Sequence, residues 1–246
     1  MDRSVIRPLL YLVALLVLTV YHGLSAIVAG YLRVPFRPGG VYDESARRWA
    51  RGLIRAAGVE VRTLGLERVP TDRSVVYVSN HQSFFDILAL AATVPGTMRF
   101  VAKKEFQRIP ILGRAMKSAK QIFIDRQNLS KAFDAYEEAA KAVRGGLNAV
   151  VFAEGTRSHT GELQPFKKGP FVFAIASQVP VIPVYCAGTF AVLPKGSLWV
   201  RPGPVTLYFG EPILTEGMTY DDRGALLERT RRRIMQFRVD AGEEER

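Results

Sequence analysis

The sequence has 246 residues, of which 48% are hydrophobic and 23% charged, and a formal net charge of +11. These values are typical of a folded chain with one large domain, alone or with an appendage, and they exclude a disordered chain, a collagen-like fibre and a coiled-coil rod. The single cysteine, Cys186, excludes a disulfide scaffold. The positive charge indicates an anionic partner, which is nucleic acid, acidic lipid or a phosphorylated small molecule.

The N-terminal segment from Leu9 to Leu32 contains no Asp, Glu, Lys or Arg. It is longer than the ~20 residues that a helix needs to cross a membrane. Because His22, Gly23 and Ser25 interrupt its second half, it either crosses as one tilted helix or bends near His22-Gly23 and returns within one leaflet. A cleaved signal peptide and a buried core helix are the remaining interpretations.

Arginines flank this segment on both sides, with more of them after it: Arg3 and Arg7 before, then Arg33, Arg37, Arg47, Arg48, Arg51 and Arg55. If the segment spans a membrane, the positive-inside rule places the rest of the chain in the cytoplasm. If it does not span, the same arginines can contact anionic headgroups. We therefore expect an inner-membrane protein whose body lies on the cytoplasmic face. We divide the chain into a membrane-anchoring helical segment, residues 1–57, and a second domain, residues 58–246.

Beyond Gly58, short β-branched or aromatic runs alternate with longer stretches of helical periodicity. The predicted strands are Val59–Thr63, Val75–Val78, Phe100–Ala102, Gln121–Ile124, Ala149–Phe152, Val181–Val184 and Val205–Phe209. The predicted helices are Asp43–Ala57, Phe84–Thr93, Leu129–Arg144, Gly169–Gln178 and Arg223–Val239. This alternation predicts an α/β fold with a largely parallel or mixed central sheet flanked by helices.

Polar residues follow the predicted strand Val75–Val78, at the place where such sheets tend to carry their function. Ser83 and Asp86 have the spacing of a helix capping box, which is one interpretation of Asp86. His81 lies in the preceding turn, so the two side chains can also converge. A carboxylate bonded to one imidazole nitrogen would leave the other nitrogen free to act as a base.

Other strand ends carry groups suited to phosphate. Glu154, Gly155, Thr156 and Arg157 follow a predicted buried strand and offer backbone amides, a hydroxyl and a guanidinium. Lys103, with Lys104, follows another strand. The sequence has no G-x-S-x-G elbow, no P-loop motif and no metal-ligand spacing, so we expect neither a serine hydrolase nor a metal site.

Several motifs follow one another in the order of a known family. They are Asn80-His81-x-x-x-x-Asp86, Ala102-Lys103-Lys104-Glu105 with Ile109-Pro110-x-x-Gly113, Ile122-Phe123-Ile124-Asp125-Arg126, Phe152-Ala153-Glu154-Gly155-Thr156-Arg157-Ser158, Pro165-Phe166-Lys167-x-Gly169 and Val179-Pro180-Val181-Ile182-Pro183-Val184. The set resembles the glycerolipid acyltransferases and, among them, is most similar to bacterial 1-acylglycerol-3-phosphate acyltransferases. Ala153 stands where that family usually has proline.

The resemblance implies that His81, oriented by Asp86, removes a proton from the sn-2 hydroxyl of lysophosphatidic acid. This oxygen then attacks the thioester of acyl-CoA or acyl-carrier protein, without an acyl-enzyme, and gives phosphatidic acid. The remaining motif residues would bind the acceptor: Lys103, Asp125, Arg126, Glu154, Gly155, Thr156 and Arg157. No cofactor beyond the acyl donor is implied.

Three other functions fit parts of the sequence. One is an acyltransferase for a different acceptor, such as a lyso-ornithine lipid or a lysophospholipid. Another is a non-catalytic lipid-binding membrane module, in which Asp86 serves only as a helix cap. Nucleic-acid binding would use the high positive charge, but many arginines lie beside apolar residues, as in Arg229–Arg233 with Ile234 and Phe237. That arrangement fits a membrane surface or the core of the protein, so we expect membrane lipids and no nucleic acid as partners.

Overall fold

The computed structural model describes residues 3–125 and 129–243. The helices are α1 (Arg3–Tyr31), α2 (Val41–Ala57), α3 (Phe84–Thr93), α4 (Leu112–Ser118), α5 (Leu129–Arg144), α6 (Lys168–Ser177), α7 (Thr189–Val192) and α8 (Arg223–Asp240). The strands are β1 (Val59–Leu64), β2 (Val76–Ser79), β3 (Arg99–Lys103), β4 (Ile122–Ile124), β5 (Ala149–Phe152), β6 (Val181–Ala187) and β7 (Gly203–Phe209).

The described strands form one mixed sheet in the order β1-β7-β6-β2-β5-β3-β4. From β6 to β4 every neighbouring pair is parallel, whereas β7 runs antiparallel to β6 and parallel to β1. The carboxyl ends of β2, β5, β3 and β4 therefore meet at one edge of the sheet. This confirms the predicted α/β fold and places the polar strand ends side by side.

Both faces of the sheet are covered by helices, because its central strands are apolar on both sides. In β2, Tyr77 faces the core beneath α2 and α3, while Val76 and Val78 face the opposite core beneath α5, α6 and α8. In β5, Phe152 faces the first of these cores and Val151 faces the second. Continuous apolar runs are expected for strands buried on both faces.

Helix α1 runs through His22 and Gly23 without interruption, so the chain does not turn back at that point. Gly23 lies against Ile111 and Gly30 against Ser118, both next to or within α4, so closely that a Cβ atom would come within 2.6 and 2.7 Å of these side chains. Gly23, which weakens the apolar pattern of α1, and Gly30 thus let the helix approach α4.

The opposite face of α1 is apolar and exposed, and α1 is long and apolar enough to cross a membrane by length and composition. Tyr11 on its inner face is 2% exposed and shares a core with Leu53 of α2 and Phe85 of α3. The first two helices therefore pack on the same core as the sheet. The division of the chain after Ala57 stays a prediction.

Candidate active site

Asp86 is at once a helix-capping residue and the partner of His81. Its Oδ2 accepts hydrogen bonds from the backbone N–H groups of Gln82 (2.7 Å) and Ser83 (2.8 Å), while Ser83 Oγ accepts from Phe85 N. The same Oδ2 lies 2.8 Å from His81 Nδ1. The two interpretations of Asp86 are therefore compatible, because the capping box holds the carboxylate where it meets the imidazole.

The imidazole of His81 is held by Asp86 and Phe152 and stays partly exposed. Its backbone N–H donates to Glu154 Oε1 (2.8 Å), and its ring stacks on Phe152 with the centroids 3.8 Å apart. The His81 side chain is 13% exposed, whereas that of Asp86 is fully buried. An ionised Asp86 can only accept this hydrogen bond, so Nδ1 must then be the donor, and a neutral imidazole of that tautomer carries no proton on Nε2.

Glu154 braces two loops of the site from a buried position. Its carboxylate accepts the backbone N–H of His81 and, through Oε2, that of Gln164 (3.2 Å). Burial and, to a smaller extent, the nearby Asp86 raise the pKa of Glu154 to about 7, against the lowering effect of these hydrogen bonds. Glu154 therefore contacts protein backbone in this structure, where the sequence predicted a contact with the acceptor.

The residues predicted to bind the acceptor follow neighbouring strands at the same edge as His81. Lys103 ends β3 with its side chain exposed, and β3 is separated from β2 by β5 alone. Since neighbouring strands lie ~4.8 Å apart, the ends of β2 and β3 are about 10 Å from each other. Asp125 follows β4 and accepts a hydrogen bond from Lys104 Nζ (2.5 Å). Arg126 lies outside the described residues.

The loop after β5 carries the other predicted groups. Gly155 has φ +72°, a left-handed backbone conformation that a side chain would strain. Thr156 and Arg157 follow it, and Lys195, a residue that the sequence analysis missed, contacts both. Lys195 Nζ donates to Thr156 Oγ1 (3.3 Å), to the carbonyl of Arg157 (3.0 Å) and to His159 Nε2 (2.8 Å).

The surroundings of Asp86 include a further residue that sequence reasoning missed. Thr189 Oγ1 donates to Asp86 Oδ1 at 2.5 Å, so that both carboxylate oxygens are hydrogen-bonded. Thr189 is fully buried and lies 103 residues further along the chain. No short motif contains such a pair. Among the described residues, no group of three or more His, Cys, Asp or Glu side chains could hold a metal ion.

An acyltransferase family model matches residues 60–187, which include His81, Asp86 and Glu154 and end just before Thr189. The chain belongs to this acyltransferase family. As an acyltransferase it is an enzyme, and the names of the relatives described next confirm the predicted resemblance to glycerolipid acyltransferases.

Curated relatives carry the name 1-acyl-sn-glycerol-3-phosphate acyltransferase. The Cocos nucifera protein is 33% identical over 215 residues, which are 87% of this chain and 68% of that one. The alpha form of Homo sapiens is 34% identical over 179 residues, 72% of this chain and 63% of that one. The acyltransferase chain thus spans about two thirds of the length of these relatives.

A solved structure matches nearly the whole acyltransferase. It is the crystal structure of the 1-acyl-sn-glycerophosphate (LPA) acyltransferase PlsC from Thermotoga maritima. The two share a TM-score of 0.83 and 26% sequence identity, and the match covers 99% of this chain and 98% of that one. The fold of PlsC therefore includes counterparts of α1 and α2 as well as of the sheet.

Proposed function

We propose that this acyltransferase transfers a fatty acyl group from acyl-CoA or acyl-carrier protein to the sn-2 hydroxyl of 1-acylglycerol-3-phosphate, giving phosphatidic acid. The observation that carries the proposal is the bond between a fully buried Asp86 and an accessible His81, at an edge of the sheet that also presents Lys103. The names of the relatives support the choice of acceptor.

The proposed reaction is a single acyl transfer between two substrates. His81 Nε2 takes the proton of the acceptor hydroxyl as its oxygen attacks the thioester carbonyl. The tetrahedral intermediate then collapses, the carbon–sulfur bond breaks, and the imidazolium returns the proton to the departing thiolate. Asp86 stabilises the imidazolium and fixes its Nδ1–H, as a buried carboxylate does beside a catalytic histidine.

The acceptor phosphate would lie toward the cations at the neighbouring strand ends. Lys103 and Arg157 are the groups that we assign to it, since a guanidinium and an ammonium suit phosphate oxygens. Lys195 supports this assignment, because it binds the backbone carbonyl of Arg157 and adds positive charge to the same loop.

The enzyme would work at the cytoplasmic face of the inner membrane, attached through α1. One side of α1 packs on α2 and α4, whereas a helix that spans alone is surrounded by lipid. The other side is an apolar face that is solvent-exposed in this structure: Leu9, Leu10, Val13, Leu16, Val17, Tyr21, Leu24, Val28 and Tyr31. This arrangement favours insertion of that face into one leaflet, beside which a lysolipid can reach His81.

Release of free thiol tests the reaction directly. The full chain in detergent is mixed with lysophosphatidic acid and acyl-CoA, and in parallel with an acyl-carrier protein thioester. We expect thiol release that requires the acceptor and that falls by ~10²–10⁴-fold in His81→Ala, the range typical of a lost general base. Arms with lysophosphatidylcholine and a lyso-ornithine lipid test the choice of acceptor.

Each other outcome contradicts part of the proposal. Thiol release without any acceptor would identify a thioesterase. Faster release with another lysolipid than with lysophosphatidic acid would overturn the proposed substrate. Unchanged release in folded His81→Ala would overturn the mechanism.

A further inference from the structure

The end of helix α8 is turned back toward the site by a glycine. Gly242 N donates to Val239 O (2.9 Å) and Glu243 N donates to Arg238 O (3.0 Å), with Gly242 at φ +71°. These are the two bonds of a Schellman motif, which fixes the residue after the glycine. Because Ile234 and Phe237 anchor α8 in the core, Glu243 has a defined position.

The carboxylate of Glu243 binds Tyr185 within strand β6 and Gly188 directly after it. Oε1 accepts the backbone N–H of Gly188 (2.8 Å), and Oε2 accepts the hydroxyl of Tyr185 (2.5 Å). Tyr185 is fully buried, and burial together with the Glu243 carboxylate raises its pKa, so the hydroxyl stays a donor. A bidentate contact of this kind holds both partners at fixed positions.

Each of the two residues that donate to Glu243 is connected to Asp86 through one further residue. Gly188 directly precedes Thr189, whose hydroxyl donates to Asp86 Oδ1. Tyr185 Oη accepts from Gln82 Nε2 (3.4 Å), and the backbone N–H of Gln82 donates to Asp86 Oδ2. The Glu243 carboxylate is thus connected, through Gly188 and Tyr185, to the groups that donate hydrogen bonds to the two oxygens of Asp86.

A second contact joins the same helix end to the loop after β5. Arg238 Nη2 of α8 pairs with the carboxylate of Glu162. The neighbouring Gly161 carbonyl accepts from Gln82 Nε2 at 2.9 Å. The C-terminal end of α8 therefore contacts the chain on both sides of the His81–Asp86 pair.

We infer that Glu243 is a positioning residue for the acyl-transfer reaction, holding Gly188 and Tyr185 so that Asp86 stays aligned with His81. This role rests on the proposed function of that pair. Both carboxylate oxygens of Glu243 are taken up by protein groups, so its loss should lower kcat and leave the KM of both substrates unchanged. A small misplacement of a reacting group can cost up to ~10²-fold in rate, and we expect a fall of between about tenfold and that limit for Glu243→Ala.

The experiment compares kcat and KM of the full chain with Glu243→Ala, Glu243→Gln and Asp240→Ala. Glu243→Gln keeps an oxygen for the Gly188 N–H and should recover part of the lost kcat. Asp240 is exposed on the same helix end and accepts from Gln236 Nε2, so its variant removes an equal charge without touching the site. Equal kcat values for Glu243→Ala and the wild type, or an equal fall in Asp240→Ala, would overturn the inference.

Gly242→Ala provides a second test that leaves Glu243 in place. A Cβ at Gly242 meets no atom within 4 Å, so the change strains only the backbone at φ +71° and disturbs the Schellman motif. We expect a fall in kcat in the same direction as for Glu243→Ala.

Amide hydrogen exchange separates the positioning role from the proposed function. In Glu243→Ala the amides of Gln82, Ser83 and Gly188 should exchange faster, and those of the core strand β5 should not. Unchanged exchange at the first three amides would overturn the inference whether or not the wild type transfers acyl groups. A wild type with no acceptor-dependent transfer, but with faster exchange in the variant, would overturn the proposed function and, with it, the part that Glu243 plays in acyl transfer.

Discussion

Replacement of Asp86 separates its capping role from its role beside His81. In Asp86→Ala the N–H groups of Gln82 and Ser83 lose their acceptor inside the protein. Each buried unsatisfied donor costs ~1–3 kcal/mol, so the fold should lose about 2–6 kcal/mol, a large part of the 5–15 kcal/mol typical of a protein. Activity and stability would fall together in this variant.

Asp86→Asn should instead lose activity and keep most of its stability. The amide oxygen can take the place of Oδ2 and accept from both backbone N–H groups and from His81 Nδ1. The amide NH₂ can then donate to Thr189 Oγ1, because a hydroxyl is free to rotate and accept. The hydrogen bonds survive, but the negative charge that stabilises the imidazolium is gone.

Urea denaturation and initial-rate measurements on the two variants test this reasoning. We expect Asp86→Asn to unfold close to the wild-type midpoint with kcat lower by at least ~10²-fold. Full activity in Asp86→Asn would refute a charged partner for His81. Equal stabilities of Asp86→Ala and Asp86→Asn would refute the capping role.

Three further predictions concern other parts of the structure. Because the pKa of Glu154 is raised to about 7, its contribution to stability is complete below the ordinary value near 4.5 and is lost as the pH rises through 7. Urea denaturation from pH 5 to 8 should therefore show that the free energy of unfolding of the wild type falls by up to roughly 3 kcal/mol more than that of Glu154→Gln. The same pH dependence of the unfolding free energy in both proteins would contradict this. Leu16→Glu, on the exposed face of α1, should reduce co-sedimentation with anionic vesicles, whereas Leu64→Glu on β1 should not; equal binding would count against membrane attachment through α1. Lys195→Gln should raise the KM for the acceptor by about three- to tenfold with little change in kcat, and an unchanged KM would remove Lys195 from the acceptor site.

Most of the fold could be predicted from local sequence patterns. The predicted strand Ala149–Phe152 and the helices Phe84–Thr93 and Leu129–Arg144 have the observed bounds. These segments have strong periodicity and clear end signals, such as the capping residue Ser83. Helices α4 and α7 were missed because they have only 7 and 4 residues, too few to show a helical period.

The site was predictable only where its residues are close in sequence. His81 and Asp86 lie five residues apart, and one turn and one helix start bring them together. Thr189 and Glu243 lie far from His81 in sequence. The order of the strands brings Thr189 to Asp86, and helix α8 brings Glu243 to Tyr185 and Gly188. Strand order and long-range hydrogen bonds depend on tertiary packing, which hydrophobic periodicity does not encode.

The hydrogen bonds of Glu154 could not be foreseen for a related reason. The resemblance assigned Glu154 to acceptor binding together with Gly155 and Arg157, and in the fold its carboxylate accepts hydrogen bonds from the backbone of His81 and Gln164. A side chain's direction after a strand depends on the turn that follows, here set by the left-handed Gly155.

The central claim is that His81 activates an acceptor hydroxyl. Mass spectrometry of the lipid product, formed from lysophosphatidic acid and an acyl thioester by the wild type and by His81→Ala, tests it most directly. The account predicts phosphatidic acid carrying the donor's acyl chain from the wild type, and almost none from a His81→Ala variant with the same melting temperature. Phosphatidic acid formed at the wild-type rate by that folded variant would contradict it.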